Sequence, residues 1–228
     1  TVGRINGLRR LRLSSLEPAF FCEDLLSAAT DCPCFCPHFH IPLQSGSDRI
    51  LQAMGREVSA ASYLRLVDRV RRALPDATLT TDVIVGFPGE TMADVEETCR
   101  VIEEAGFLGV HIFPFSMRPG TSAASLPGRV GPEEIRRRTR RVRECAEMVR
   151  GRMLAGMVGS RQEILAESGE GSIWRGYTAG YAPAMVEAAD AIRGDTIPFR
   201  VQGVRQNRLV GFREAICRWQ AQSSVSCS

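Results

Sequence analysis

Histidine, aspartate and glutamine side chains alternate with apolar residues in three segments of the sequence, "HFHIPLQ", "ATLTTDVIVGF" and "GVHIFPF". Alternation with a period of two is typical of a β-strand, whose successive side chains point to opposite faces. If the apolar residues face a layer of helices, one polar and aromatic set faces inward: His38, His40, Gln44, Thr80, Asp82, His111, Phe113 and Phe115. Asp82 is the candidate catalytic residue, because a carboxylate within an apolar strand needs a partner or a chemical task. Taken singly, His40 also fits a core histidine bonded to a carbonyl group, so the convergence of these side chains is what favours a site.

The second of these segments runs directly into the turn Gly86-Phe87-Pro88-Gly89-Glu90 and then into a helix. Free backbone N–H groups and the helix dipole converge at such a turn, so α/β folds often hold polar ligands there. The turn therefore predicts a ligand loop. A tight strand-to-helix connection, in which glycine and proline only shape the backbone, is the alternative.

The chain contains no lysine, so all 29 of its basic residues are arginine. P-loop NTPases, Schiff-base enzymes and pyridoxal-phosphate enzymes need a lysine at the reacting centre, and these classes are therefore excluded. The net charge of +3 is too small to predict a nucleic-acid partner by itself. Residues 129–152 are locally basic, with nine arginines against four glutamates, which is more often a solvated helix face than a nucleic-acid groove.

The eight cysteines do not follow a disulfide or zinc pattern. Cys32, Cys34 and Cys36 are spaced too closely for the paired C-x-x-C of a structural zinc site. We therefore expect no metal ligands in this chain and mostly reduced thiols. Alternation leaves one alternative, an adventitious metal on Cys36, His38 and His40.

Helical periods and strand-like segments alternate along the first two thirds of the chain. Strands are expected at 9–16, 38–44, 77–87 and 109–115, and helices at 17–29, 59–74, 91–105 and 131–153. The pair Thr91 and Asp94 is a helix-start signal, and Gly106 is a stop signal. Such alternation predicts parallel βαβ units.

The pattern changes near residue 157, where short segments separated by Gly and Pro clusters predict a small all-β domain. We expect an α/β domain at 1–156, a β-domain at 157–213 and a tail at 214–228. The apolar runs are far shorter than the ~20 residues that cross a bilayer, and the sequence lacks a signal-peptide pattern, so a cytoplasmic protein without a membrane partner is expected.

Longer motifs resemble a known family over residues 9–213. The segments "CPHFHIPLQSGSDRILQAMGR", "TTDVIVGFPGET" and "FPFSMRPGTSAASLPG" resemble the C-terminal half of the radical-SAM methylthiotransferases. "RLSSLEP" together with "CPHFHIPLQSGS" resembles the branch that modifies N6-threonylcarbamoyladenosine 37 of tRNA. The segment from "VGSRQEILAES" to "RLVGF" resembles the TRAM domain, a small OB-like barrel, that ends these enzymes.

The resemblance implies a partial (β/α) barrel, a TRAM barrel, S-adenosylmethionine (SAM) and [4Fe–4S] clusters as cofactors, and tRNA and a reductant protein as partners. In that family a 5′-deoxyadenosyl radical made from SAM activates C2 of the adenosine, where a methylthio group is inserted. By resemblance, the cofactor-binding residues are His40, Gln44, Ser45, Asp82, Gly86, Phe87, Pro88, Gly89, Glu90 and Phe113. The RNA-binding candidates, by resemblance and by the use of stacking aromatics and arginines in such barrels, are Trp174, Arg175, Tyr177, Tyr181, Arg193, Arg200 and Arg205.

One departure from the family is decisive for activity. The C-x-x-x-C-x-x-C loop that holds the SAM cluster does not occur in the sequence, nor does the family's second set of three cysteines. We therefore expect a fragment of a longer enzyme that does not cleave SAM by itself. The alternatives are a parent that modifies isopentenyl-adenosine tRNA or a ribosomal-protein aspartate, and an inactive RNA-binding remnant.

Overall fold

A computed structural model describes residues 2–214 of the chain. Its first part is a parallel sheet in the order β1-β2-β3, formed by β1 (His38–His40), β2 (Thr78–Val85) and β3 (Gly109–Pro114). Five helices accompany this sheet: α1 (Glu23–Thr30), α2 (Asp48–Ala53), α3 (Ala60–Ala73), α4 (Met92–Ala105) and α5 (Pro132–Gly156). None of the described helices is both long and apolar enough to cross a membrane. The expected parallel α/β architecture is confirmed.

One face of the sheet is buried under the helices, as the alternation of the sequence predicts. Phe39 and Ile41 in and after β1, and Val83 and Val85 in β2, are at most 1% exposed and share one apolar core with α3, α4 and α5. The other face, the inner face, carries the polar residues. Among the strands that the structure describes, the two outer strands, β1 and β3, each pair with β2.

The helix ends follow the signals in the sequence. Thr91 and Asp94 form a capping box at the start of α4, in which each side chain accepts a hydrogen bond from the other residue's backbone N–H. Gly106 ends α4 with φ of 58°, a left-handed conformation that favours glycine. Ser59 and Ser62 form a second capping box on α3. Both predicted helix signals around α4 are confirmed.

Three expected elements differ in the structure. The strand predicted at 9–16 is only an isolated bridge from Leu11 to Phe35, because the backbone bonds of this segment to the chain at and before β1, such as the one from the Leu16 N–H to the His40 carbonyl, do not form a continuous ladder. The helix predicted at 17–29 is a short 3₁₀ turn, Pro18–Phe20, followed by α1, because the chain turns out of helical geometry at Phe21. The strand predicted at 38–44 ends at His40, because Pro42 has no N–H to donate; pairing resumes only at Gln44, which bridges to Val83.

Beyond α5, five strands close into a barrel in the order β4-β5-β6-β8-β7. They are β4 (Arg161–Glu170), β5 (Ile173–Thr178), β6 (Pro183–Glu187), β7 (Thr196–Arg205) and β8 (Arg208–Arg213). Ile164, Val186, Ile197, Phe199 and Leu209 are fully buried inside it. The expected small all-β unit is confirmed, whereas the boundaries 1–156 and 157–213 stay predictions. Residues 215–228 of the predicted tail lie outside the described part of the chain.

The barrel packs against the start of the parallel strands. The Arg10 guanidinium donates to the Tyr177 carbonyl at 3.2 Å, and the Arg12 guanidinium donates to the Ala179 carbonyl at 3.2 Å. Arg12 also lies over the Tyr181 ring, with its Cζ 4.7 Å from the ring centroid. The irregular N-terminal segment therefore connects the barrel to the sheet.

Candidate functional site

The inner face of the parallel sheet brings together the polar residues that the alternation predicted. β2 aligns with β3 so that Asp82 pairs with His111, and His40 lies opposite Thr80 on the other side. His40 Nε2 lies 3.2 Å from Asp82 Oδ1, and the His40 and His111 ring centroids are 5.6 Å apart. The side chains of His40 and Asp82 are half-buried, whereas His111 and Phe113 on β3 are exposed. The predicted orientation of these side chains is confirmed.

A single threonine hydroxyl links the two histidines of β1. Thr80 Oγ1 lies 3.0 Å from His38 Nε2 and 3.0 Å from His40 Nδ1. One hydroxyl has a single proton, so it donates to one imidazole and accepts from the other. Burial of His38, followed by the nearby Arg12 guanidinium, lowers the pKa of this histidine to about 4. A neutral imidazole donates or accepts at Nε2 depending on its tautomer, so the tautomers of the two histidines set the direction of both bonds to Thr80. His40 Nε2 points toward Asp82.

The turn after β2 is held by a buried ion pair with α5. The Glu90 carboxylate accepts a 2.7 Å hydrogen bond from the Gly86 N–H and lies 3.2 Å from the Arg138 guanidinium. Arg138 also donates to the Glu90 carbonyl at 2.6 Å. Burial raises the pKa of Glu90, while the bonds from Gly86 and Arg138 oppose that rise. Gly86 and Glu90 thus face α5 and not the inner face of the sheet, and their assignment as cofactor-binding residues stays a prediction.

Ser45 also lies away from the inner face. It is 1% exposed, accepts a hydrogen bond from the Ser47 N–H at 3.2 Å, and has its hydroxyl 3.5 Å from that of Thr98 on α4. Gln44 has a φ of 67°, which turns the chain just before Ser45. Ser45 therefore does not share the inner face with His40 and Asp82, and its assignment as a cofactor-binding residue stays a prediction.

A cavity of about 200 Å³ lies at the end of β2 on the inner side. Its walls include Gln44, Ile84 and Phe87, together with Met54 and Arg56 after α2. Phe87 packs edge-on against Phe115, with ring centroids 5.3 Å apart, while Pro88 is buried and Gly89 is half-buried in the same turn. An amide, an aromatic ring and the nearby Asp82 carboxylate fit parts of SAM, which has an adenine base and an ammonium group. The volume is below the 300–1,000 Å³ of typical ligand pockets, so this cavity by itself does not enclose a whole SAM molecule.

The cysteines do not fit an iron–sulfur cluster in the described residues. Cys32 and Cys34 have their sulfur atoms 3.5 Å apart, and Cys36 is buried. A [4Fe–4S] cluster needs several cysteine thiolates around it. Within residues 2–214, three thiols do not converge; the group with metal-ligand spacing there is His40, Asp82 and His111. Within the same residues, Cys36, His38 and His40 do not form a group with metal-ligand spacing, so the alternative metal site is not supported.

The predicted RNA-binding residues fall into two groups. Arg175 lies 3.4 Å from Glu170, and Arg200 pairs with Glu214 at 3.2 Å on the barrel surface. Arg193 and Arg205 are exposed. These four remain candidates for contact with an anionic partner.

The aromatic candidates are engaged inside the protein. The indole N–H of Trp174 donates to the Ala188 carbonyl at 3.1 Å, and this ring packs against the barrel core. Tyr177 and Tyr181 stack on each other with centroids 4.7 Å apart, and Tyr181 also lies 4.8 Å from the His38 ring. The two tyrosines therefore belong to the contact between barrel and sheet, which occupies part of the aromatic surface expected for RNA bases.

Sequence reasoning missed Arg12 and Arg138. The basic segment 129–152 is more typical of a solvated helix face, but Arg138 within it is only 8% exposed. A signal existed in the pattern, since Ile135, Arg138 and Val142 fall on one helix face. For Arg12 no local signal exists, because its partners, the Ala179 carbonyl and the Tyr181 ring, are far along the chain.

Comparisons with known proteins identify the fold of the first part of the chain. Residues 4–102 match the Radical SAM superfamily. Coproporphyrinogen III oxidase of Escherichia coli, described as a radical SAM enzyme, superposes with a TM-score of 0.52 at 14% identity, covering 61% of this chain and 32% of that chain. This likeness shows the fold alone.

Other relatives are more similar to this chain in sequence than coproporphyrinogen III oxidase is. A tRNA-2-methylthio-N(6)-dimethylallyladenosine synthase of Thermobifida fusca is 43% identical over 211 residues, which cover 92% of this chain and 38% of the relative. The synthase 1 of the same name from Mycobacterium marinum is 45% identical over 169 residues, 74% of this chain and 32% of the relative. The chain thus spans about a third of the length of these curated relatives. The matches support a relationship to the radical SAM methylthiotransferases, and they imply SAM and [4Fe–4S] clusters as cofactors.

The comparisons correct the expected substrate branch. The relatives are named for N(6)-dimethylallyladenosine and not for N6-threonylcarbamoyladenosine, so the assignment to the threonylcarbamoyl branch is wrong. The motif "RLSSLEP" contains Leu13 and Leu16, which pack against the apolar core, and "CPHFHIPLQSGS" contains β1. Both motifs therefore include positions that hold the fold, and such positions do not distinguish the substituent on a substrate base.

Proposed function

We propose that this chain is part of a radical SAM enzyme that inserts a methylthio group into N(6)-dimethylallyladenosine of tRNA. The 43% identity over 92% of the chain to the Thermobifida fusca synthase carries this proposal. When bound, SAM and its cluster supply the radical chemistry. This chain's own residues would shape the wall against which the cofactor lies.

The inner face of the sheet supports that assignment. Gln44 and Phe87 border the cavity at the end of β2, and Phe113 is exposed on the neighbouring strand. These side chains offer an amide and aromatic surfaces for the base, and Asp82 offers a carboxylate for the ammonium group. The Glu90–Arg138 pair would hold the turn in position without touching the ligand.

Nucleoside analysis in the source organism tests the proposal. We expect disruption of the gene that encodes this chain to abolish 2-methylthio-N(6)-dimethylallyladenosine in tRNA and to leave the unmethylthiolated nucleoside in its place, as measured by mass spectrometry. Restoring the gene with Asp82→Asn should fail to recover the product, whereas Glu104→Gln, an exposed carboxylate on α4, should recover it. An unchanged nucleoside profile after disruption would overturn the proposal.

The barrel surface would contribute to tRNA binding. Arg193 and Arg205 are exposed on the barrel, where guanidinium groups can contact phosphates. We expect the 228-residue chain to bind tRNA with an affinity that falls with salt, and each Arg→Ala change to reduce the salt slope by about 1. Arg72→Ala on α3 is the matched control, and an equal loss there would argue against a barrel site.

The same chain should form no 5′-deoxyadenosine from SAM under reducing conditions. Residues 2–214 gather no set of cluster-ligating thiols. Production of 5′-deoxyadenosine that depends on reconstituted iron and sulfide would contradict this expectation. A reductant protein would act only on the cluster-bearing parent.

A further inference from the structure

Three side chains on the inner face of the sheet have the composition and spacing of a metal site. His40, Asp82 and His111 each offer one ligand atom, and these atoms all lie within 4.8 Å of one another. They come from β1, β2 and β3, so the parallel register of the sheet sets their positions. We propose that these three residues bind one divalent transition-metal ion.

The distances suit direct coordination. Zinc-type ions lie about 2.0–2.2 Å from imidazole nitrogen and carboxylate oxygen, so two ligand atoms of one ion lie roughly 3–3.5 Å apart. His40 Nε2 and Asp82 Oδ1 already have a separation of 3.2 Å. His111 is exposed on the outer strand β3, and its side chain is free to close the remaining distance.

The neighbouring hydrogen bonds orient His40 as a ligand. Its Nδ1 lies 3.0 Å from Thr80 Oγ1, which leaves Nε2 as the nitrogen that faces Asp82 and His111. A metal-bound histidine almost always donates its other ring N–H to a neighbouring group, which fixes the tautomer and the ring direction. Thr80 is itself buried and held by His38, so this orientation is built into the sheet.

The donor set selects the class of metal. Two imidazoles and one carboxylate suit zinc, iron(II), cobalt(II) or nickel, whereas calcium and magnesium prefer oxygen ligands alone. The three residues would occupy coordination positions on one side of the ion and leave its other coordination positions open on the inner face of the sheet. Such open positions accept water or a ligand atom, as in catalytic and not structural metal sites. The trio lies within the strands, whereas Gln44 and Phe87 border the cavity at the end of β2. Asp82 belongs both to the trio and to the proposed cofactor wall, so a bound metal ion and the ammonium group of SAM would compete for its carboxylate.

Cobalt(II) titration of the metal-free 228-residue chain tests the site, because cobalt bound to protein ligands has visible absorption bands. We expect one ion per chain. His111→Ala and Asp82→Asn should each weaken cobalt binding by at least ~10-fold, which is the lower end of the effect of losing a residue that only orients a metal ligand. Thr80→Val, which removes such an orienting hydroxyl, should weaken binding by about that amount. Glu104→Gln, which removes an exposed carboxylate elsewhere, should leave binding unchanged.

Two outcomes would overturn the proposal. One is the absence of stoichiometric binding by the unsubstituted chain. The other is binding that persists in His111→Ala, especially with the near-ultraviolet charge-transfer bands of thiolate ligands, which would assign the ion to cysteines. Circular dichroism of each variant verifies folding, and His111→Ala is the decisive variant because this side chain is exposed. The assay requires neither SAM nor tRNA, so its result is independent of the proposed function.

Discussion

At the scale of single residues, the Glu90–Arg138 pair determines whether the turn after β2 keeps its shape. Both side chains are nearly inaccessible to water, at 3% and 9% exposure. A buried carboxylate whose partner is removed carries a large desolvation penalty. We expect Arg138→Met to lower the free energy of unfolding by about 3–5 kcal/mol, measured by urea denaturation at neutral pH.

The neighbouring residue provides the control for this prediction. Arg137 pairs with Glu134 at 2.8 Å on the exposed side of α5, so Arg137→Met should change stability little. The double variant Arg138→Met, Glu90→Gln should recover part of the loss, because it removes the unpaired buried charge. Equal stability of the Arg138 and Arg137 variants would show that the buried pair does not hold the turn.

At the scale of elements, the start of α4 depends on an ionised carboxylate. Although burial raises the pKa of Asp94, hydrogen bonds from the Thr91 hydroxyl, the Ser47 hydroxyl, the Thr91 backbone and the Arg49 guanidinium lower it to about 2. Because the folded pKa lies below the unfolded value, the stabilisation is present above about pH 4 and is lost as the pH falls toward 2. We expect Asp94→Asn to cost roughly 2 kcal/mol at pH 6, with the difference from the unsubstituted chain shrinking below pH 4. Asp68→Asn, at an exposed position on α3, is the control and should change stability little at pH 6. A difference for Asp94→Asn that stays constant from pH 6 to pH 3 would refute the assignment.

The elements also show which parts of the fold could be predicted from the sequence. The start and end of α4 were predictable, because Thr91, Asp94 and Gly106 act through local backbone bonds. The inner orientation of Asp82 was also predictable, because successive side chains of a strand point to opposite faces. The irregular course of residues 9–16 and the orientation of Glu90 toward Arg138 depend on partners far along the chain, which a local pattern does not contain. His111 completes the candidate metal site only because β2 and β3 pair in register, which likewise required the structure.

At the scale of the whole molecule, a short aromatic stack joins the barrel to the sheet. Tyr181 contacts Tyr177 on one side, and His38 and Arg12 also lie against it. The hydroxyl of Thr78, the first residue of β2, donates to the Gly180 carbonyl beside this stack. His38 in turn bonds to Thr80, so barrel docking and the inner face of the sheet share one continuous set of contacts.

This contact predicts that the two parts of the chain unfold together. Aromatic stacking and a cation–π contact each contribute about 0.5–1.5 kcal/mol, so Tyr181→Ala should weaken docking by roughly 1–3 kcal/mol. Tyr181→Phe keeps the ring and is the matched control. In differential scanning calorimetry we expect one transition for the unsubstituted chain and for Tyr181→Phe, and two separated transitions for Tyr181→Ala, because the barrel and the sheet each have their own apolar core. If Tyr181→Ala and Tyr181→Phe unfold in the same single transition, the stack does not couple the two parts, and contacts of Arg10 and Thr78 must hold the barrel in place.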